Sequence, residues 1–217
     1  MSVTSGKSFH KLYIRIYASR SCIIYSVSIL FLAMGIPKIP EPAKLIVGLI
    51  FAPEFHDTAL TRLEEEFGPI TLHSKIIPFD KTNYYEPEMG KGLQRQWIAF
   101  KELIEQDKIV EIKLKTNEIE REWMEQGSRK VNIDPGYVTE SKLVLATTKN
   151  YSHRIYLSRG IYAEVTLIFR RKVGFEPLPW TYPDYRSEEA LEFFNMVREE
   201  LKKDLREYRA KMLGLND

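Results

Sequence analysis

The chain has 217 residues, of which 44% are hydrophobic and 29% are charged, and its formal net charge is +2. These proportions are typical of an ordinary globular chain that is long enough to bury a sizeable core. Residues 1–33 contribute +4, which leaves −2 for the rest of the chain and argues against a generally basic nucleic-acid binder. Cys22 is the only cysteine, so the body has no disulfide framework and no thiolate metal site, which fits a reducing cytoplasm.

The first 33 residues have three interpretations: an over-extended reading frame, a signal peptide or membrane anchor, and a real soluble extension. A basic segment precedes an apolar run at 22–33, which is shorter than the roughly 20 residues that a membrane span needs. The run suits a signal-peptide core, although Phe31 stands where cleavage requires a small residue. The favoured interpretation takes Met34 as the natural start and residues 1–33 as an over-extended reading frame. We therefore expect one cytoplasmic domain at 34–217, with a signal-like or membrane-associated N terminus only if the leader is real.

The first half of the body alternates strands and helices. The apolar run at 44–51 predicts a strand buried on both faces. A helix is predicted at 56–67, with Asp57 or Thr58 as its N-cap and Gly68 after its end. Strands at 69–79 and 94–100 follow, separated by a polar loop at 80–92, and then a helix at 107–124 and a strand at 131–133. The second helix has one apolar stripe: Ile109, Ile112, Thr116, Ile119 and Trp123. This order is that of a ferredoxin-like unit.

The stretch 131–169 is rich in strand-forming residues. Asp134-Pro135-Gly136 predicts a turn, because proline presets φ and glycine accepts a positive φ. Residues 141–148 are ambiguous between helix and strand, and their composition favours a strand. Strands at 153–157 and 161–169 form a predicted hairpin around Ser158-Arg159-Gly160.

The C-terminal part begins with a rigid aromatic and proline-rich segment at 177–185, which cannot be a central strand. A helix capped by Ser187 is predicted at 188–213. Its buried stripe is Ala190, Phe194, Val197, Leu201, Leu205, Tyr208 and Met212. The predicted fold class is α+β: a mixed or mostly antiparallel sheet with helices packed on one face, a ferredoxin-like N-terminal half and a long C-terminal helix.

Several ordered blocks of the chain resemble one family. The most distinctive are NIDPGY (132–137), LVLATTKNYSHRIYL (143–157), GIYAEVTL (160–167) and PLPWTYPDYR (177–186). KLIVGLIF (44–51), FGPI (67–70), YYEPEMG (84–90) and KLKTNEIE (113–120) also match. Together they resemble the bacterial and archaeal family DUF4416, a domain of unknown function, over residues 36–186. Members often carry the automatic label "GTP-binding protein", and the resemblance implies no catalytic residues.

Established catalytic motifs are missing from the sequence. Gly90-Lys91-Gly92 is the nearest match to a P-loop, and it lacks the spacing, the Ser or Thr and the preceding strand. There is no N-K-x-D motif for guanine and no G-x-S-x-G nucleophile motif. The histidines are not paired at ligand spacing, so no metal site is predicted from spacing, although Asp134, His153 and Glu164 could converge across strands. Whether the protein is an enzyme stays open.

The favoured hypothesis is a site for a nucleotide or another phosphate-bearing small ligand. Basic side chains bracket two strand ends and a turn, where arginine offers a fork for phosphate and lysine a point charge. Tyrosines could stack on a base, and Asp134 could orient a hydroxyl or hold Mg²⁺, the one cofactor that a nucleotide would bring. The candidate ligand-binding residues are Asp134, Tyr137, Lys142, His153, Arg154 and Glu164.

The alternative is a non-enzymatic interaction module. Its contact surface would be the aromatic loops, which carry Tyr84, Tyr85, Trp180, Tyr182 and Tyr185. Heptad-like spacing at 190–212 would allow a homodimer through the last helix. RNA binding is disfavoured by the charge of −2 on the body.

Overall fold

The structure is a computed structural model that describes residues 35–80 and 84–214. The predictions for residues 1–33 lie outside these ranges. By internal contacts Met1–Ile39 forms one unit and Pro40–Asp217 another. Residues 35–39, the described part of the first unit, belong to no helix or strand. No helix within the described ranges is long and apolar enough to cross a membrane.

The second unit is an α+β domain with nine strands and four α-helices among its described residues. The strands are β1 (Ala43–Phe51), β2 (Ile70–His73), β3 (Ile77–Pro78), β4 (Gln94–Ile104), β5 (Val131–Val138), β6 (Lys142–Thr147), β7 (Ile155–Ser158), β8 (Ile161–Arg170) and β9 (Gly174–Pro177). The helices are α1 (His56–Phe67), α2 (Glu86–Met89), α3 (Ile109–Glu122) and α4 (Glu188–Met212).

The N-terminal half has the predicted ferredoxin-like arrangement. The strand order is β2-β4-β1-β5, and α1 and α3 make the two crossovers. All nine residues of β1 are buried, as its continuous apolar run predicted, because β1 lies at the centre of this unit with a helix layer on each face. Every strand pairing in the sheet is antiparallel.

The sheet continues from β5 through β6 and β8 to β7. The segment at 141–148 is a strand, as favoured, and the β7–β8 hairpin is confirmed. Arg159 and Gly160 have φ angles of 52° and 79°, which is the left-handed pair of a two-residue hairpin turn. The later part of β8 pairs with β9 on the same edge that its earlier part shares with β7.

The two faces of the sheet are covered by different helices. α1 and α3 pack on the face that carries Leu45, Val47 and Leu49 of β1. α4 packs on the opposite face, against Ile46 and Trp97. The prediction that all helices pack on one face is therefore wrong. α1 and α3 share one face, whereas α4 covers the other. The apolar stripe of α4 is buried against this sheet up to Leu205, whereas Tyr208 and Met212 are exposed.

The predicted turn at Asp134-Pro135-Gly136 is wrong, because β5 runs through all three residues. Ile133 turns its backbone N–H and C=O away from β1, and Pro135, two residues further on, has the same orientation. The missing N–H of proline therefore removes no hydrogen bond to β1. Gly136 permits a close approach, since a Cβ there would lie 2.4 Å from the carbonyl oxygen of Val144.

The remaining corrections concern element boundaries. The strand predicted at 69–79 is divided into β2 and β3, and the loop predicted at 80–92 contains the short helix α2. The N-cap of α1 is Phe55, which makes no side-chain cap bond, so the predicted Asp57 or Thr58 cap is wrong. Ser187 caps α4 as predicted, and its hydroxyl accepts a hydrogen bond from the Ala190 N–H at 3.2 Å.

Candidate functional site

Polar side chains lie on the α4 face of the sheet beneath and beside residues 178–186. Arg95 of β4 is two positions from Trp97, which faces α4. Asp134 of β5 alternates with Ile133, which faces α1 and α3. Glu164 of β8 pairs with Leu145, which also belongs to the α4 face. The alternation of side chains along three strands thus puts Arg95, Asp134 and Glu164 on one side of the sheet.

Arg95 is fully enclosed on this face, with a side-chain exposure of 1%. Its guanidinium carbon lies 5.0 Å from the ring centre of Trp97 and 4.8 Å from that of Tyr185. Nη2 lies 2.9 Å from Asp184 Oδ2, and Nη1 lies 3.9 Å from Asp134 Oδ2. Nε and Nη1 have no hydrogen-bond partner among the described residues. Burial lowers the pKa of Arg95, but Tyr185, Asp184 and Asp134 more than offset it, and the group stays charged.

Gly48 makes room for this arginine. It occupies the centre of β1, where its cross-strand partners are Trp97 and Asp134. A Cβ at this position would lie 2.6 Å from the Tyr185 hydroxyl and 3.0 Å from Arg95 Nη2. The glycine is therefore the floor on which the guanidinium and the phenol lie, and it lets Arg95 reach across β1 towards β5.

Asp134 is the member of the cluster that reaches solvent, with 31% of its side chain exposed. Oδ2 accepts a hydrogen bond from Asn132 Nδ2 at 2.8 Å. Oδ1 lies 3.7 Å from Lys113 Nζ, which is an ion-pair distance but too long for a hydrogen bond. Lys113 itself is buried and donates to the Ile133 carbonyl oxygen at 2.8 Å. One carboxylate oxygen of Asp134 thus keeps its hydrogen-bonding capacity.

Arg129 connects α2, α3 and β5 beside Asp134. Its Nε and Nη2 donate to the two carboxylate oxygens of Glu88 at 2.6 and 2.8 Å. Its Nη1 donates to Glu120 and to Asn132, each at 3.0 Å. This arrangement brings α2 and the preceding Tyr84 and Tyr85 towards the cluster.

Tyr85 is protonated in this setting. Burial raises the pKa of its hydroxyl, and the negative charge of Asp134 raises it further, against the opposing effect of Arg95 and Arg129. The hydroxyl of Tyr182 is a further contributor, so Tyr85 and Tyr182 both lie within electrostatic reach of this region.

A second charge cluster is centred on Glu164, whose side chain is 2% exposed. Glu164 Oε2 accepts from Arg154 Nε at 2.7 Å and lies 3.2 Å from His153 Nε2. Arg154 Nη1 donates to the Lys149 carbonyl oxygen, and Nη2 to the Tyr182 hydroxyl, each at 3.0 Å. The His153 ring stacks on Trp180 at 5.3 Å. These contacts brace the loop before β7 against residues 178–186.

The predicted candidates divide into two groups. Asp134, His153, Arg154 and Glu164 lie on the α4 side, where Tyr182 accepts a hydrogen bond from Arg154. Tyr137 lies on the opposite face, packed with Ile109 and Val110.

Lys142 is the first residue of β6 and alternates with Leu143, which faces α4, so its side chain starts from the opposite face of the sheet. Arg154 bonds Glu164, which pairs with Leu145, and Leu145 lies about 10 Å along β6 from Lys142 at roughly 3.3 Å per residue. Lys142 therefore does not join His153 and Arg154 around one anion.

Sequence reasoning missed the residues that build the centre of the site: Gly48, Arg95, Arg129 and Asp184. The available signal was Arg95 inside a predicted strand, followed by Trp97 on the same face, since a charge in a buried strand requires partners. Within the described ranges no group of three or more His, Cys, Asp or Glu residues is arranged to hold a metal ion.

Comparison with known proteins gives one match. No curated protein and no solved structure matches the chain. A family model described as "Domain of unknown function (DUF4416)" matches residues 41–201, which contain the whole sheet, both charge clusters and the first half of α4. The match covers well over half of the chain, and the chain belongs to the DUF4416 family.

Proposed function

We propose that the protein binds a small phosphorylated ligand that carries hydroxyl groups, of the nucleotide type, on the surface around Asp134. The observation that carries the proposal is the contrast between Arg95 and Asp134. Arg95 is 1% exposed and incompletely hydrogen-bonded, whereas its partner Asp134 is 31% exposed, and its Oδ1, 3.7 Å from Lys113 Nζ, accepts no hydrogen bond within the described chain. Buried polar clusters are normally fully satisfied, and those that are not concentrate at functional sites. Asp134 is positioned to accept a hydrogen bond from a ligand hydroxyl.

Aromatic side chains support the ligand class. Tyr84, Trp180 and Tyr182 are 64%, 39% and 48% exposed, although each lies beside a charge cluster. Large exposed aromatic rings offer stacking surfaces for a nucleobase. Lys149 Nζ donates to the Tyr84 hydroxyl at 3.0 Å and lies 4.6 Å from its ring centre, which puts a cation at the rim of this surface.

The structure changes the roles assumed from sequence. Arg154 uses its three nitrogens in contacts with Glu164, Lys149 and Tyr182, and His153 faces Glu164. In the proposal these two residues fix the loop before β7, which forms the wall of the ligand site. The exposed Lys149 of this loop contacts the phosphate as a point charge. Asp134 orients a hydroxyl, and any Mg²⁺ would accompany the phosphate rather than occupy a preformed protein site.

Ligand-induced stabilisation tests the proposal. We expect GTP, ATP, GMP or ribose 5-phosphate to raise the melting temperature, with or without Mg²⁺, since a ligand at 100 times its Kd adds about 2.7 kcal/mol. Asp134→Asn should weaken binding about tenfold or more, because a hydrogen bond to a charged group is lost. Asp107→Asn is the matched control, since Asp107 is exposed and distant in the fold from this face.

Two results would overturn the proposal. One is the lack of any thermal shift with all four compounds, both with and without Mg²⁺. The other is a shift that Asp134→Asn and Asp107→Asn leave equally unchanged, because the ligand would then bind elsewhere.

The interaction-module alternative has less support in α4. Its apolar stripe is buried against its own sheet from Ala190 to Leu205, so the heptad-like spacing is explained by the domain itself. The exposed apolar side chains of α4 that are left for a partner are Met196, Tyr208 and Met212.

A further inference from the structure

The strand β7 forms an edge of the sheet. It pairs with β8 on one side, and no other strand in the described part of the chain pairs with its outer side. In an antiparallel pair, alternate residues turn their N–H and C=O groups away from the partner strand. The outer side of β7 therefore presents backbone donors and acceptors to an additional strand, with a register irregularity between Tyr156 and Ser158.

The side chains of β7 are apolar on both faces of the sheet and are exposed. Ile155 is 69% exposed, Tyr156 58% and Leu157 39%. β7 carries none of the charges or prolines that protect many native edge strands, and its protection is limited to its length of four residues and a register shift between Tyr156 and Ser158. Exposed apolar side chains beside an unpaired strand edge are the features of a surface that receives a strand.

The exposed charged side chains in the segment around β7 are positive, since the neighbouring Glu164 is 2% exposed and pairs with Arg154. Residues 141–163 contain Lys142, Lys149, Arg154 and Arg159 and no Asp or Glu. Lys149 and Arg159 are exposed, and Arg159 forms no ion pair among the described residues. A strand that docks here meets the exposed Arg159 at the end of β7, and the exposed Lys149 lies in the loop that Arg154 holds before its start.

We propose that β7 is a docking edge for an extended peptide segment with acidic side chains, which adds to the sheet as a further strand. A second copy of β7 fits worse, because antiparallel self-pairing about the strand centre would place Arg159 beside the partner's Arg154, and like charges opposite each other are destabilising. A single-stranded nucleic acid matches the charge, but it has no amide backbone to complete the ladder. The proposal is independent of ligand binding at Asp134.

The test uses the full chain and a fluorescein-labelled eight-residue peptide of alternating valine and glutamate, measured by fluorescence anisotropy. We expect saturable binding that weakens with salt, and about tenfold weaker binding of the valine–lysine counterpart. N-methylation of alternate peptide nitrogens keeps every side chain but removes the ladder hydrogen bonds, and should weaken binding about tenfold or more. Slower hydrogen exchange in residues 155–158 on peptide binding should locate the contact.

A charge variant provides the matched control. Arg159→Asn should weaken peptide binding about two- to fivefold, since an exposed ion pair is lost, and asparagine tolerates the positive φ of this turn. Arg171→Asn removes an equally exposed arginine from the β8–β9 turn and should change nothing. Four results would overturn the proposal: no peptide binding at millimolar concentration, equal binding of the N-methylated peptide, tighter binding of an octathymidylate, or exchange protection outside β7.

Discussion

Arg95 and Arg154 lie on the same side of one sheet and are held in different ways. Arg154 has a protein partner for each nitrogen and a buried carboxylate, Glu164, as its main contact. Arg95 is enclosed by two aromatic rings and two aspartates, yet two of its nitrogens have no hydrogen-bond partner in the described chain. A fully bonded charge cluster is typical of structural bracing, whereas an incompletely bonded one beside an exposed carboxylate is suited to a ligand. The difference assigns the wall of the site to Arg154 and its centre to Arg95.

The severest test of this comparison is Arg95→Met, which keeps much of the side-chain volume. It leaves Asp184 and Asp134 without their buried cation, and we expect a loss of about 3–5 kcal/mol in the free energy of unfolding. Urea denaturation measures it, with Arg121→Met on the exposed side of α3 as the control. A loss smaller than that of Arg154→Ala would reverse the assignment of the centre.

Arg154→Ala should cost less, about 2–3 kcal/mol, because Glu164 keeps His153 as a neighbour at 3.2 Å. The double variant Arg154→Ala with Glu164→Gln should recover part of the loss, since it removes the unpaired buried charge. Urea denaturation of the four species of this double-mutant cycle gives the coupling energy. Independent, additive losses would show that Arg154 does not brace the wall through Glu164.

Gly48→Ala probes the floor beneath Arg95 without removing a charge. The new methyl group would approach the buried Tyr185 hydroxyl to 2.6 Å, so we expect a loss of about 1–3 kcal/mol from overpacking. Thermal and urea unfolding should give the same loss of stability. Gly35→Ala is the control and should be neutral, because no atom lies within 4 Å of the added carbon. A neutral Gly48→Ala would mean that the cluster has free space beside the ring.

Lys142→Ala is expected to give the smallest effect. The Lys142 side chain starts from the face of the sheet opposite to Arg154 and Glu164, so the change should alter stability by less than about 0.5 kcal/mol. Phosphate-ligand affinity should also stay unchanged in the thermal-shift assay. A tenfold loss of affinity would restore Lys142 to the anion site that sequence reasoning proposed.

The periodic elements of the fold were predictable from sequence. α1, α3 and α4 follow from apolar residues at three- and four-residue spacing, and the β7–β8 hairpin follows from its turn residues. These patterns are local, so each is complete within the segment that forms it. The ferredoxin-like strand order followed from the order of the elements alone.

The site depends on contacts that no local pattern contains. Arg95 is buried because Gly48 leaves space and because Asp184, 89 positions later, supplies a carboxylate. Asp134-Pro135-Gly136 has turn composition, but its proline lies on an unpaired part of the β5 edge and its glycine beneath the backbone of β6. The burial of Arg95 and the extended conformation of residues 134–136 both depend on neighbours that are distant in the sequence. The order of the chain does not reveal these neighbours.

The covering of one sheet face by α4 has a consequence for biosynthesis. Lys44 of β1 forms ion pairs with Glu200 and Asp204 of α4 at 2.8 and 2.6 Å. The first strand of the domain therefore finds its charged partners on the last helix that the structure describes. Until α4 has left the ribosome, Ile46 and Trp97 stay uncovered on one face of the sheet. The nascent chain therefore exposes an apolar surface for most of its translation, which is the condition under which partly folded chains tend to aggregate.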